Sequence, residues 1–182
     1  MNRLKKAAII TRLARKMRDK DSWCGETHLQ KGLYLAQELL DVPTAFEFIL
    51  YKHGPFSFGF REELGKLRAD GLLDLEPQPR PFGPRFLTTK RSKEIEARFP
   101  RTIDNVDEKL NFIAGKLGGK GVSDLEKLAT ALFVTKNYPD CSSITMRAEK
   151  LHELKPHVSI SDAQTALEQI SEFQTLAQDL MN

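Results

Sequence analysis

Residues Thr27–Leu40, THLQKGLYLAQELL, decide how this chain is read. Apolar side chains recur at Leu29, Leu33, Ala36 and Leu40, and Leu35 and Leu39 widen the stripe, so the spacing predicts a helix packed on more than one side. Gly32 lies inside that pattern, where it costs ~1 kcal/mol against Ala. A core helix keeps such a residue where a neighbour crosses closely. Thr27 is placed to cap the helix, and Asp41 and Pro43 end it.

Upstream, residues 3 to 18 predict a helix with Leu4, Ala7, Ala8, Ile10, Leu13, Ala14 and Met17 on one side. Its other side carries Arg12, Arg15, Lys16 and Arg18, the most basic surface in the chain, suited either to solvent or to contact with phosphate or an acidic partner. Trp23, in the polar connection that follows, is expected to fold back on the core. Downstream, Phe46 to Tyr51 reads as extended, and His53-Gly54-Pro55-Phe56-Ser57 reads as a sharp turn in which Ser57 caps the next helix. That helix runs from about Ser57 to Asp70, burying Phe60, Leu64 and Leu67, with Gly71 as its C′ residue. Leu72 to Leu75 and Arg85 to Thr89 then form a hairpin around a loop stiffened by four prolines, Pro77, Pro79, Pro81 and Pro84. Three helices followed by a two-stranded hairpin is the winged helix-turn-helix order. Arg80 would sit at the wing tip, with Arg85 beside it.

Two stretches carry a family resemblance: Leu29-Gln30-Lys31, Leu33-Tyr34-Leu35-Ala36-Gln37 within the central helix, and Tyr51-Lys52-His53-Gly54-Pro55-Phe56-Ser57 in the turn. With Thr27, Phe46-Glu47-Phe48, Leu64, Leu67 and Gly71-Leu72-Leu73 they make residues 5 to 90 similar to the Panacea (SocA-like) antitoxin domain and to the related YwgA-like bacterial proteins. The chain departs from that pattern at Gly32, where the family tends to have a larger apolar residue, and in its long C-terminal half. The resemblance implies a domain that neutralises toxins, or engages other proteins, by binding them, with no known catalytic activity.

The second half reads as helices. One starts at Thr102 to Asp104 and ends at Lys116 or Leu117; Gly115, Gly118, Gly119 and Gly121 make a connection; Ser123-Asp124-Leu125-Glu126 is a capping box opening the next. Another spans about Ser143 to Lys155, and Ser161 with Gln164 caps a last one. The expected fold is mainly α with a small β-hairpin, a winged helix-turn-helix domain over 1-100 and a helical bundle over 101-182.

Composition narrows the class. Of 182 residues 40% are hydrophobic, and mean hydropathy is negative. No apolar run reaches the ~20 residues that cross a bilayer, and the N-terminus lacks the apolar stretch of a secretion signal, so a cytoplasmic protein with no membrane partner is expected. Residues 1 to 103 hold twenty Lys/Arg against thirteen Asp/Glu, and the remainder eight against twelve. This asymmetry suits a nucleic-acid contact or an acidic partner on the first half.

No catalytic or metal site is expected. Gly115 to Gly121 lacks the spacing and the hydroxyl of a phosphate loop. His152-Glu153 and His157 are misplaced by one residue for a zinc helix, which Pro156 interrupts. Cys24 and Cys141 are expected as reduced thiols, and Cys24 with His28 has no orienting group or oxyanion hole. His53 either fixes its turn through a backbone carbonyl or faces a partner. The outward residues of the third helix, Arg61, Glu62, Glu63, Lys66, Arg68 and Asp70, balance in charge, a poor reader of DNA.

The expected function is a non-enzymatic binding protein without cofactors, antitoxin-like or regulatory, acting by protein contact in a bacterial toxin-antitoxin or defence setting. Its partner, such as a cognate toxin, would meet Arg12, Arg15, Arg18, Tyr51, His53, Arg61 and Arg68. The alternative is a winged-helix transcriptional regulator touching DNA through Lys66, Arg80 and Arg85.

Overall fold

The computed structural model describes residues 1–181. The protein is mainly helical, with two small antiparallel strand pairs. In chain order the elements are α1 (Arg3–Arg18), α2 (Glu26–Leu40), β1 (Ile49–Tyr51), β2 (Gly54–Phe56), α3 (Phe58–Ala69), β3 (Leu73–Glu76), β4 (Arg85–Thr88), α4 (Lys90–Arg98), α5 (Pro100–Leu117), α6 (Val122–Asn137), α7 (Ile144–Leu154) and α8 (Ile160–Met181). Each strand pairs with the next: Ile49 lies opposite Phe56, and Leu73 opposite Thr88. Among the described residues no helix is long and apolar enough to cross a membrane.

α2 is the central rod. Every residue from His28 to Ala36 is buried, as are Leu39 and Leu40, because α1, α3, α5, α6 and α8 all lie against it. Gly32 answers to a close neighbour there: a β-carbon added to it would sit 2.8 Å from the sulfur of Met17 on α1. One hydrophobic cluster runs through both halves of the chain, from Ala7 and Leu13 through Leu29 and Leu33 to Leu110, Leu132 and Leu167. α5 lies along α1, and α6, α7 and α8 pack on one another. Ser57 caps α3 by accepting from Phe60 N–H at 3.2 Å, and Gly71 takes φ +68° just past its end, both as the sequence leads one to expect.

Several local expectations give way. α2 starts at Glu26, one residue before Thr27, and its N-cap is Gly25, whose lack of a side chain leaves the helix without a side-chain cap. The Tyr51–Ser57 turn is itself a hairpin, because Gly54 to Phe56 pairs back on Ile49 to Tyr51. α4 had no apolar period to reveal it; a capping box between Thr89 and Ser92 starts it, and the Ser92 hydroxyl donates to the Leu72 carbonyl. α5 opens earlier than Thr102, on Pro100 at its first position. α6 begins on Gly121 with no capping box, so Ser123 does not cap it and Glu126 is free to turn inward. Ser159 rather than Ser161 caps α8, accepting from Asp162 N–H at 3.0 Å.

Gly118 marks where the α5–α6 connection crosses the α1–α2 connection: a β-carbon there would lie 2.2 Å from the Lys20 carbonyl oxygen, whereas one on Gly119 would meet nothing within 4 Å. Gly118→Ala should therefore lower unfolding free energy by about 1–3 kcal/mol, as overpacking does. Gly119→Ala should stay within about 0.5 kcal/mol of wild type. Urea denaturation of the two variants checks this, and equal midpoints would contradict it.

Candidate functional site

Residues 44–57 run beside α2 with few backbone partners of their own, and three polar side chains of α2 supply what is missing. Gln37 accepts from Phe46 N–H at 2.9 Å and donates to the Phe46 carbonyl at 3.0 Å. One heptad earlier, Gln30 makes the same pair with Ser57, accepting from its N–H at 3.0 Å and donating to its carbonyl at 3.0 Å. Residues seven apart lie on one helix face, so each amide takes the place of a strand partner for one residue. Between them Lys31, only 1% exposed, donates from Nζ to the Pro55 carbonyl at 2.8 Å. Burial pulls the Lys31 amine down to about 8, against the opposing pull of Glu126.

The C-terminal half holds the other side of this hairpin. Lys155, at the end of α7, donates to the Tyr51 carbonyl and to the Lys52 carbonyl at 2.6 Å. Burial lowers its amine as well, with Glu126 opposing. Glu126 of α6 is buried and faces Lys155 at 3.7 Å, His157 at 3.2 Å and His53 at 3.5 Å. Gly54, at φ +79°, presses on α6 so closely that a β-carbon would stand 2.7 Å from Thr130 Oγ1. His53 therefore neither pins its turn through a carbonyl nor stands alone; its ring is largely exposed, next to an acid from the far half of the chain.

This anchored hairpin carries an aromatic cluster into solvent. Tyr51, Phe56 and Phe58 stack on one another at centroid separations of 5.1–5.8 Å. Tyr51 is 45% exposed, Phe58 51% and Ile49 49%. Arg61, one turn along α3, is exposed and lies 3.3 Å from Glu26. The outward face of α3 differs from the balanced one read from sequence, because Glu63 and Asp70 turn back to Arg3 of α1 at 2.9 Å and 2.7 Å. Along α3 itself what remains outside is Arg61, Lys66 and Arg68 against Glu62, with Lys66 paired to Glu62 at 2.7 Å, while Asp70 just past the helix stays part-exposed in its pair with Arg3.

The basic side of α1 is not a free surface. Arg12 binds Asp107 of α5 at 2.5 Å and faces Glu96 of α4 at 3.4 Å; Arg15 also binds Glu96, and Lys16 binds Asp107 at 2.9 Å. Burial alone would raise the Asp107 carboxyl, but its hydrogen bonds to Arg12 and Lys16 outweigh that and hold it below its usual range. Arg12 and Arg15 are thus engaged inside the molecule, and Arg18 is half-buried beside them. Trp23 does not reach the core; it meets the β3–β4 loop, with the Arg85 guanidinium 3.8 Å from its ring centroid, while Arg80 is exposed in that loop. Cys24 donates weakly to the Ala14 carbonyl, and burial pushes its thiol up to about 12, so it holds no thiolate beside His28. His152 meets the Val158 carbonyl through Nδ1.

Sequence reasoning missed Phe58, Phe56 and Glu126. A signal for Phe58 was present: it falls off the Phe60, Leu64, Leu67 stripe and hence outside the buried face. Comparison with known protein families and with curated proteins finds no match to this chain.

The buried lysine has a measurable consequence. Its folded value of about 8 lies below the ordinary 10.5, so the unfolded chain binds the proton more tightly. Over that window Lys31 makes stability rise with pH. Cys24 and Tyr34, both raised by burial, work in the opposite direction at high pH, so the informative quantity is a difference. The gap between wild type and Lys31→Met should move toward wild type by up to about 3 kcal/mol between pH 8 and 10.5. Parallel stability curves for the two proteins would contradict this.

Proposed function

We propose that this protein is a non-enzymatic binding module, antitoxin-like or regulatory, that engages another protein through the surface formed by the β1–β2 hairpin and the start of α3. The observation that carries the reading is the cluster of exposed Tyr51 and Phe58 on half-buried Phe56, with Ile49 at its edge and Arg61 and His53 on its rim. Aromatic and Arg side chains gathered in one exposed patch are the composition of interface hot spots. The backing is rigid as well, since Gln30, Lys31 and Lys155 fix the hairpin from two sides, and a pre-ordered surface loses less entropy on binding. Of the partner-facing residues expected from sequence, Tyr51, His53, Arg61 and Arg68 belong to or border this surface. A bacterial toxin-antitoxin or defence setting rests on the family resemblance of the Tyr51–Ser57 stretch.

A second reading has its own support. The order α1, α2, α3, then the β3–β4 hairpin, agrees with a winged helix, and the outside of α3 carries three cations against one acid. In that reading Arg61, Lys66 and Arg68 meet the phosphates of duplex DNA, with Arg80 and Arg85 on the wing.

Two experiments separate these readings. Tyr51→Ser/Phe58→Ser should leave the melting temperature near wild type, because both rings are exposed. Affinity capture from the source cell should lose the partner that wild type retains, through a cost of about 2 kcal/mol or more; capture of the same partner by both proteins would refute the protein-contact reading. Gel-shift titration with duplex DNA should show a salt slope that falls by about 2 in Arg61→Ala/Arg68→Ala if the second reading holds, and no shift at low salt would remove it.

A further inference from the structure

Away from the aromatic surface, the β3–β4 loop folds over the α1–α2 connection. Trp23 Nε1 donates to the Gly83 carbonyl at 3.3 Å, Phe86 N–H to the Cys24 carbonyl at 2.9 Å, and the Phe82 ring stands 5.0 Å from that of Trp23. Between this loop and Gly119–Gly121 lies a hollow of about 490 Å³, within the range that holds a small-molecule ligand. Its walls include two aromatic rings, Trp23 and Phe82, and two cations, Arg85 and Lys120; Asp21 is the one acid.

Four features give the hollow its chemistry. Phe82 is 59% exposed at the loop tip, where a solvated ring contributes little to folding. Lys120 and Arg85 have no ion-pair partner among the described residues, and Arg85 Nε is buried without an acceptor. α6 starts at this hollow on Gly121, with no side chain to satisfy its first N–H groups. His28, 3% exposed, also lines the hollow, and burial lowers its imidazole against the opposing pull of the Lys120 backbone.

We propose that this hollow binds a nucleotide. The base stacks against Phe82 and the Trp23 edge of the wall. The phosphate lies between Lys120, Arg85 and the N–H groups of Gly121 and the first turn of α6, where the helix dipole and the two cations add. A bare phosphate would leave the rings idle, and a plain apolar ligand would leave the cations and N–H groups unpaired. The same chemistry is presented by a free nucleotide and by one residue of a single strand. The proposal does not depend on the protein-contact reading, whose residues lie on β1, β2 and α3.

Trp23 is the only tryptophan in the chain, so its emission reports directly on this hollow. The full-length protein is titrated with AMP, adenosine, inorganic phosphate and a single-stranded oligonucleotide. AMP or the oligonucleotide should give a saturable change with Kd below about 1 mM, and adenosine and phosphate should each bind at least about tenfold more weakly. Phe82→Ala and Lys120→Met, both at partly exposed positions, should each weaken binding about tenfold, while Phe58→Ser leaves it unchanged. Saturation by AMP identifies a free nucleotide as the source; a change with the oligonucleotide alone identifies a strand. No saturable change with either, phosphate binding as tightly as AMP, or binding indifferent to both Phe82→Ala and Lys120→Met would overturn the proposal.

Discussion

A buried backbone must find partners for its N–H and C=O groups, and in this fold one face of one helix meets that demand. Gln30 and Lys31 are buried and Gln37 partly so, and an unpaired amide or ammonium there is costly. Each answers a backbone group of the segment beside it: Phe46, Pro55 and Ser57. The exchange is reciprocal, because the segment satisfies the helix's polar side chains while they satisfy the segment. That mutual need explains how a stretch with only two three-residue strands can be held firmly enough to present an aromatic surface.

The ion pairs show a related economy. The excess of base in the first half and of acid in the second reads naturally as a signal for an outside partner. Part of it is complementarity within the molecule: Arg12 and Lys16 meet Asp107, and His53 lies near Glu126. The two halves share a core and exchange charge. Many cations still have no acidic partner among the described residues, and of these Arg68 lies on α3 and Arg85 and Lys120 line the hollow.

The sequence made the helical skeleton legible because apolar spacing survives burial on more than one side, as Leu29, Leu33, Ala36 and Leu40 do in α2. The Ser57 cap and the Leu73–Thr88 hairpin were readable for local reasons, a hydroxyl before a helix and strands flanking prolines. α4 was invisible since of its buried residues Ser92, Ile95 and Glu96 only one is apolar, and the partners of Glu96, Arg12 and Arg15, lie some eighty positions away. The same distance hid the site: nothing near Glu126 announces His53, His157 or Lys155. Gln30, Lys31 and Gln37 stood in the central stretch itself, yet no local rule says that a glutamine on a helix will act as a strand.

The central claim is that α2 and residues 44–57 form one cooperative unit whose order produces the aromatic surface. Native-state hydrogen exchange at the Phe46 and Ser57 amides, the two N–H groups donated to the α2 glutamines, tests it most directly. The account predicts that both exchange only with the buried amides of Leu33 to Ala36, at the opening free energy of the whole protein. Exchange of Phe46 and Ser57 through local openings about 2 kcal/mol or more below that of α2 would contradict it.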